Sequence, residues 1–401
     1  MLDPAQFRSR IANSAFTFRG YNTTNLGRSA ELLQHPLYGA EVEQALREAS
    51  VMGSDLSHNP MDLVERVRAR KETCDLSTYT EDIVLIVTMS LVQIDLLNKY
   101  FEIPFKSAKV AFGYSLGEPT ALHATGLYSV ENILRPLLAM AADSVELSHN
   151  VTMGILFSRG PELDLEAVKR LCTEIGIEGK GIISPSTYLS PNSLLLLAQN
   201  DTLNRFKEQM KEKLNDKVHL RANPHRWPPL HTPIVWQRNI PNRSAVIFQN
   251  SPGGLVKPSV PLISSVTGKL SFTENNSRYL MQQWVDHPMK LWDMVYQTLA
   301  SGVENVVHVG PDPNLIPATF KRISDNVAGQ SNERTWSGLG LRAMRPIIRR
   351  PWLTRLMAQS TALLRAPFVS HIILEDWLLR CAPEPSQTSI VVPEAAPGKS
   401  G

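Results

Sequence analysis

Small residues bracket a serine in the run Gly113-Tyr114-Ser115-Leu116-Gly117, which continues into Glu118. A serine hydroxyl is a weak nucleophile until a base takes its proton and N–H donors await the oxyanion. In a Gly-x-Ser-x-Gly turn the glycines let the backbone pack tightly and the serine projects outward. The N–H of the next residue then faces the developing charge. Ser115 is therefore the candidate nucleophile, and the Leu116 N–H a candidate oxyanion donor. The flanking residues suit such an elbow. "SAKVAFGYS" reads as a strand running into the serine, and "GEPTALHATG" has helical composition, with Pro119 in the first turn, where a missing N–H is tolerated.

The elements that must hold this turn follow from the hydrophobic pattern. Residues Ala15 to Phe18 form a short β-prone run ending at Gly20, helical patterning spans about Ser29 to Ala49, and an apolar helix covers Asp82 to Leu97. From about Thr152 the elements shorten into the order β-α-β-β-α-β, the ferredoxin-like plan. The expected organisation is an α/β fold whose large domain (residues 15–151 and 223–330) carries an inserted small subdomain (residues 152–222). Residues 331–401 differ in character. Between Ser331 and Arg380 eight arginines face three acidic residues, interleaved with Trp336, Trp352 and Trp377, and the last stretch has a disordered composition.

Composition narrows the partners. The 401 residues carry a net charge of only +3, too little to argue for nucleic acid. Cys74, Cys172 and Cys381 are odd in number and widely spaced, which predicts neither disulfides nor a zinc site. The N-terminus lacks an apolar signal core, and the most apolar segment is broken by polar residues, so a cytoplasmic location is expected.

Six ordered motifs sharpen the chemistry. "GYSLGEPTALHATG" resembles the nucleophile segment of malonyl-CoA:acyl-carrier-protein transacylases and polyketide-synthase acyltransferase domains. "FTFRGYNTTNLGRSAEL" is similar to that family's N-terminal Phe-x-Phe-Pro-Gly-Gln-Gly stretch. "TYLSPNSLLLLA", "PPLHTPIV", "QQWVDHPMKLW" and "VVHVGPDPNL" then follow in family order. The resemblance covers roughly Phe16 to Ile323. It implies a hydrolase-like α/β domain with a ferredoxin-like subdomain, no bound cofactor, and ping-pong transfer of an acyl group from acyl-CoA to a phosphopantetheinylated acyl carrier protein. By the same resemblance Ser115 is acylated, His231 is the base, and the Tyr21 N–H joins that of Leu116 in the oxyanion hole. Gln283, with Gln282 as the alternative, would orient His231.

The motif pattern is not kept throughout. Malonyl-specific members place an arginine 25 residues after the nucleophile to clamp the substrate carboxylate. Here that position is Met140, and Arg135 lies roughly 140° away round a helix. Tyr21, Tyr114 and Asp82 also replace usual pocket residues. An apolar pocket around Met140 predicts an uncharged donor. A serine thioesterase or esterase, and a catalytically weakened binding module, are the alternatives. The basic runs "VKRL" and "RFKEQMKEK" could steer an acidic carrier, and the Arg/Trp-rich segment could contact a membrane surface.

Overall fold

The computed structural model describes residues 2–73, 75–159, 162–332 and 359–383. Among these residues nine strands occur: β1 (Ser14–Phe18), β2 (Val110–Gly113), β3 (Val151–Ser158), β4 (Ile183–Ser190), β5 (Ser193–Gln199), β6 (Val218–Arg226), β7 (Leu262–Ile263), β8 (Asn305–Val309) and β9 (Ser370–Ile373). They form two sheets.

The larger sheet is parallel, in the order β7-β2-β1-β8-β9. Its central strands β1, β2 and β8 are buried at every residue, as expected when helices cover both faces. Phe18 pairs with Gly113 on one side and Val309 on the other. Three loops, beginning at Arg19, Tyr114 and Gly310, therefore leave the carboxyl edge of the sheet at one level, the usual place for a site in such sheets.

The smaller sheet is antiparallel, in the order β4-β5-β3-β6, with helices Leu165–Ile177 and Thr202–Lys213 between its strands. This is the ferredoxin-like arrangement, running from Val151 to Arg226. Alternation along β5 divides its leucines. Leu194 and Leu196 pack in the subdomain core with Phe206, and Leu195 and Leu197 turn the other way, toward the large domain. Both faces are covered, so β5 is buried throughout.

The helix at the apolar segment spans Tyr79–Phe101, and no described helix is long and apolar enough to cross a membrane. The segment expected to stand apart after residue 331 is in part built into the body. β9 extends the large sheet, and the helix Leu374–Cys381 buries Trp377 against Phe7 and Phe101, with ring centroids 5.2 and 4.6 Å away. Its indole N–H donates to the Leu2 carbonyl at 2.8 Å. Trp336, Trp352 and most of the arginines tied to a membrane surface lie outside the described residues.

Candidate active site

The serine elbow is as tight as a backbone turn allows. Strand β2 ends at Gly113, Ser115 adopts φ +52°, and the helix Gly117–Ala124 begins two residues later. A Cβ on Gly113 would lie 2.0 Å from the Gly117 carbonyl carbon, and one on Gly117 would lie 2.1 Å from the Phe18 oxygen. Both glycines are required by close approach, and Ser115 is held in a left-handed conformation that costs a serine on the order of 1–2 kcal/mol.

His231 completes a dyad. Its Nε2 lies 2.9 Å from the Ser115 Oγ, and its Nδ1 lies 2.7 Å from the Trp284 carbonyl oxygen. A carbonyl only accepts, so Nδ1 carries the proton and Nε2 presents its lone pair to the serine hydroxyl. His231 is buried, with φ +64°, and its own N–H donates to the Val285 carbonyl at 2.7 Å. Burial pulls its pKa down to about 4, against the opposing effects of the Trp284 carbonyl and Asp286, so the ring is neutral at neutral pH and its Nε2 lone pair is free to accept. Trp284 grips both partners, since its indole N–H donates to the Ser115 carbonyl at 3.2 Å.

The loop after β1 supplies a wall beside the serine. A Cβ on Gly20 would sit 2.7 Å from the Tyr114 oxygen and 3.1 Å from the Ser115 Cβ. Among the described residues neither the Leu116 N–H nor the Tyr21 N–H has an acceptor, which leaves two backbone donors on the turns beside Oγ. Glu72 holds the far end of the loop, accepting from the Asn25 and Leu26 N–H groups at 2.6 and 2.9 Å.

Ser115 and His231 open onto a narrow cleft of about 70 Å³ between the two sheets. Tyr21, Tyr79, Tyr114 and Trp227 line it with Met153, Leu195, Leu197 and Met289, and among the described residues no lysine or arginine lines it. The Tyr114 hydroxyl meets Thr187 Oγ1 at 3.2 Å, and burial pushes its pKa up to about 12. Among the described residues no cluster of three His, Cys, Asp or Glu side chains is placed to hold a metal ion.

No family model matches the sequence, and no curated protein matches it. Solved structures do match. FabD from Acinetobacter baumannii superposes with a TM-score of 0.60 at 19% identity, over 78% of this chain and 91% of its own. A malonyl-transacylase solved in complex with its type II polyketide-synthase acyl carrier protein gives 0.60 at 18% identity, over 77% and 92%. The acyltransferase domain from the second module of the salinomycin polyketide synthase gives 0.59 at 17% identity, over 77% and 65%. This chain has the fold of the malonyl-CoA:acyl-carrier-protein transacylases.

Within that transacylase fold, several residues expected at the site lie elsewhere. Met140 is 1% exposed and packs in the main core, away from the cleft, because its helix Val130–Ser148 is clamped among the helices Gly39–Ser57, Tyr79–Phe101 and Ile240–Asn250. Arg135 points to the surface and pairs with Glu131. Asp82 is buried but not unpaired. It meets Arg66 at 2.5 Å and accepts from Thr78 Oγ1 at 3.2 Å; burial raises its pKa to about 6 while Arg66 pulls it down. Gln283 does not reach the histidine, because its amide donates to the Tyr279 hydroxyl at 2.9 Å and the neighbouring Trp284 carbonyl takes that place.

Two residues that motif reasoning passed over are also part of the site's support. Trp284 is one, adjacent to the glutamine that the motif suggested. Glu118 is the other, fully buried and accepting the Ser265 N–H at 3.0 Å and the Ser265 hydroxyl. It thereby ties the elbow helix to the loop after β7, and burial raises its pKa to about 7.

Proposed function

We propose that this protein is an acyltransferase that moves a short, uncharged acyl group from coenzyme A to the phosphopantetheine thiol of an acyl carrier protein, through an acyl-Ser115 intermediate. The observation that carries the reading is the Ser115–His231 contact at 2.9 Å, with the histidine tautomer set by the Trp284 carbonyl. His231 Nε2 takes the hydroxyl proton as Oγ attacks the thioester carbonyl, and the Leu116 and Tyr21 N–H groups receive the oxyanion. Collapse breaks the C–S bond, and the imidazolium returns its proton to the departing thiolate. The carrier thiol then gives its proton to His231 and attacks the serine ester, and Ser115 leaves with that proton.

The pocket supports the uncharged donor. A buried carboxylate is held best by a cation, and among the described residues the cleft lining offers no guanidinium or ammonium group. This basis replaces Met140, which sits in the core. A carboxylate triad of the hydrolase type is disfavoured, since His231 Nδ1 is held by a main-chain carbonyl. The transacylase that was solved with its carrier protein supports a carrier as acceptor.

Intact-mass analysis tests the proposal. The protein is incubated with malonyl-, acetyl- and longer acyl-CoA, then with a holo carrier protein. Acetyl or a short neutral acyl adduct that is absent in Ser115→Ala and is handed to the carrier is the expected result. Malonyl as the dominant adduct overturns the donor assignment. Release to water regardless of the carrier indicates a thioesterase, and no adduct with any donor indicates a non-catalytic module.

A further inference from the structure

Arg19 is a cation buried to 1% exposure next to Gly20, whose loop packs against Tyr114 and Ser115, and the acyl-transfer steps make no use of it. Burial lowers its pKa to about 10, with Glu375 the largest opposing influence, so it stays charged at neutral pH. Its Nε donates to the Gly20 carbonyl at 2.9 Å, one Nη to the Asn25 side chain at 2.7 Å, and the other to the Pro311 carbonyl.

The first of these bonds has a geometric consequence. The Gly20 carbonyl and the Tyr21 N–H belong to one planar trans peptide, so they point in opposite directions. A guanidinium that holds the carbonyl from behind turns the Tyr21 N–H to the other side of the loop. Its charge also polarises the peptide and makes that N–H a stronger donor.

A second carboxylate anchors the arrangement from the far end of the chain. Glu375, in the first turn of the helix Leu374–Cys381, is 1% exposed and uses both oxygens on backbone groups. It accepts the Arg28 N–H and the Asp312 N–H, each at 2.9 Å. The two loops meet so closely that a Cβ on Gly27 would lie 2.6 Å from the Asp312 nitrogen and 2.7 Å from the Glu375 carboxylate. Glu375 thus seats the Pro311 carbonyl that Arg19 grips.

We infer that Arg19 is a positioning residue for the oxyanion hole, orienting and polarising the Gly20–Tyr21 peptide, and that Glu375 from the C-terminal helix holds Arg19 in register. The inference rests on the reading of Ser115 as an activated nucleophile.

The test compares wild type, Arg19→Met, Arg19→Lys, Glu375→Gln and the Arg19→Met/Glu375→Gln double variant. The readouts are the rate of Ser115 labelling by a fluorophosphonate, single-turnover acylation by acetyl-CoA with its KM, and melting temperature. Loss of one oxyanion donor typically costs about 10²–10³ in rate. Arg19→Met is therefore expected to slow labelling and acylation by roughly 30-fold or more with KM within about twofold. Arg19→Lys recovers part of the rate, because an ammonium reaches one of the carbonyls. Glu375→Gln slows both reactions by about 3–10-fold, and the double variant is no slower than Arg19→Met alone, the non-additivity of residues acting through one another.

Equal rates in folded Arg19→Met and wild type overturn the inference, as do additive losses that simply follow melting temperature. If Arg19→Met does not fold, the Arg19→Lys and Glu375→Gln rates decide by the same criteria. Brisk labelling of wild-type Ser115 without any acyl transfer removes the proposed function and leaves this inference standing. No labelling of wild type overturns both.

Discussion

Adding one methyl group at the elbow separates geometry from chemistry, because Gly113→Ala removes no reactive group and changes only where the groups sit. The new Cβ would lie 2.0 Å from the Gly117 carbonyl carbon and oxygen and 2.2 Å from the Glu118 nitrogen. All three are backbone atoms and cannot swing aside as a side-chain tip would. Restoring an ordinary contact of about 3.4 Å requires the first turn of the helix Gly117–Ala124 to retreat by more than 1 Å from β2. Ser115 lies between the two, and its Oγ stands 2.9 Å from His231 Nε2, so a displacement of that size breaks the dyad hydrogen bond. A misplacement of about 1 Å costs on the order of 10²-fold in rate, and the overpacking itself costs about 1–3 kcal/mol. Gly176→Ala is the matched control. Gly176 is helical, and nothing lies within 4 Å of its added methyl, so that variant should gain roughly 0.5–1 kcal/mol and keep full activity. Urea denaturation and quenched-flow intact mass of acyl-Ser115 measure the two quantities. Wild-type acylation by Gly113→Ala would refute the claim that the close Gly113–Gly117 approach sets the position of the nucleophile.

Other outcomes follow from the same coordinates. Arg66→Met strands Asp82 in the interior and should cost about 3–5 kcal/mol by chemical denaturation, while Asp82→Asn leaves the donor profile unchanged because Asp82 does not line the cleft. In a competition among acyl-CoAs read by intact mass, Met140→Ala should lose about 2–5 kcal/mol of stability with no change in donor preference. Trp227→Ala should admit longer chains. Glu118 has a folded pKa of about 7 against 4.5 for an ordinary glutamate, so the folded state binds the extra proton between those values. Its contribution is fully present below pH 4.5 and is lost as pH rises through 7, by about 3 kcal/mol. Glu118→Gln should remove that component from a plot of unfolding free energy against pH.

The elbow was legible because its signal is local: a strand, two glycines around a serine, and a helical run lie within a dozen residues. The β-α-β-β-α-β unit was legible for the same reason, since each element carries its own periodicity. Residues whose roles depend on contacts between distant elements were not. Counting forward from Ser115 to Met140 crosses the turn at Gly126 and enters a new helix, so the phase that would aim residue 140 at the site is set by packing that no spacing records. Asp82 reads as a pocket residue from its position alone, because the partner that claims it, Arg66, lies on a separate helix. Gln283 was the natural choice for orienting the histidine, yet the group that does so is the main-chain carbonyl next door, and every residue has one. Trp377 belonged to a stretch whose arginines and tryptophans suggested a surface, whereas "SHIILEDWLL" forms a sheet-edge strand and a helix that buries Trp377 once β8 and Phe7 are there to receive them.

The Glu375 bonds also place the site on a clock. Arg28 and its anchoring carboxylate are 347 residues apart, so at about 5–20 residues per second the ribosome makes one roughly 17–70 s before the other. In the last part of that interval, once residue 309 has been added and until residue 375 is, the loop beside Ser115 lacks its final support, even though the serine, the histidine and the central strands have been synthesised. The seating of the C-terminal helix is therefore a late event in the life of each molecule, and it comes after the nucleophile has emerged. A nascent or prematurely ended chain can carry the whole dyad without the brace behind it.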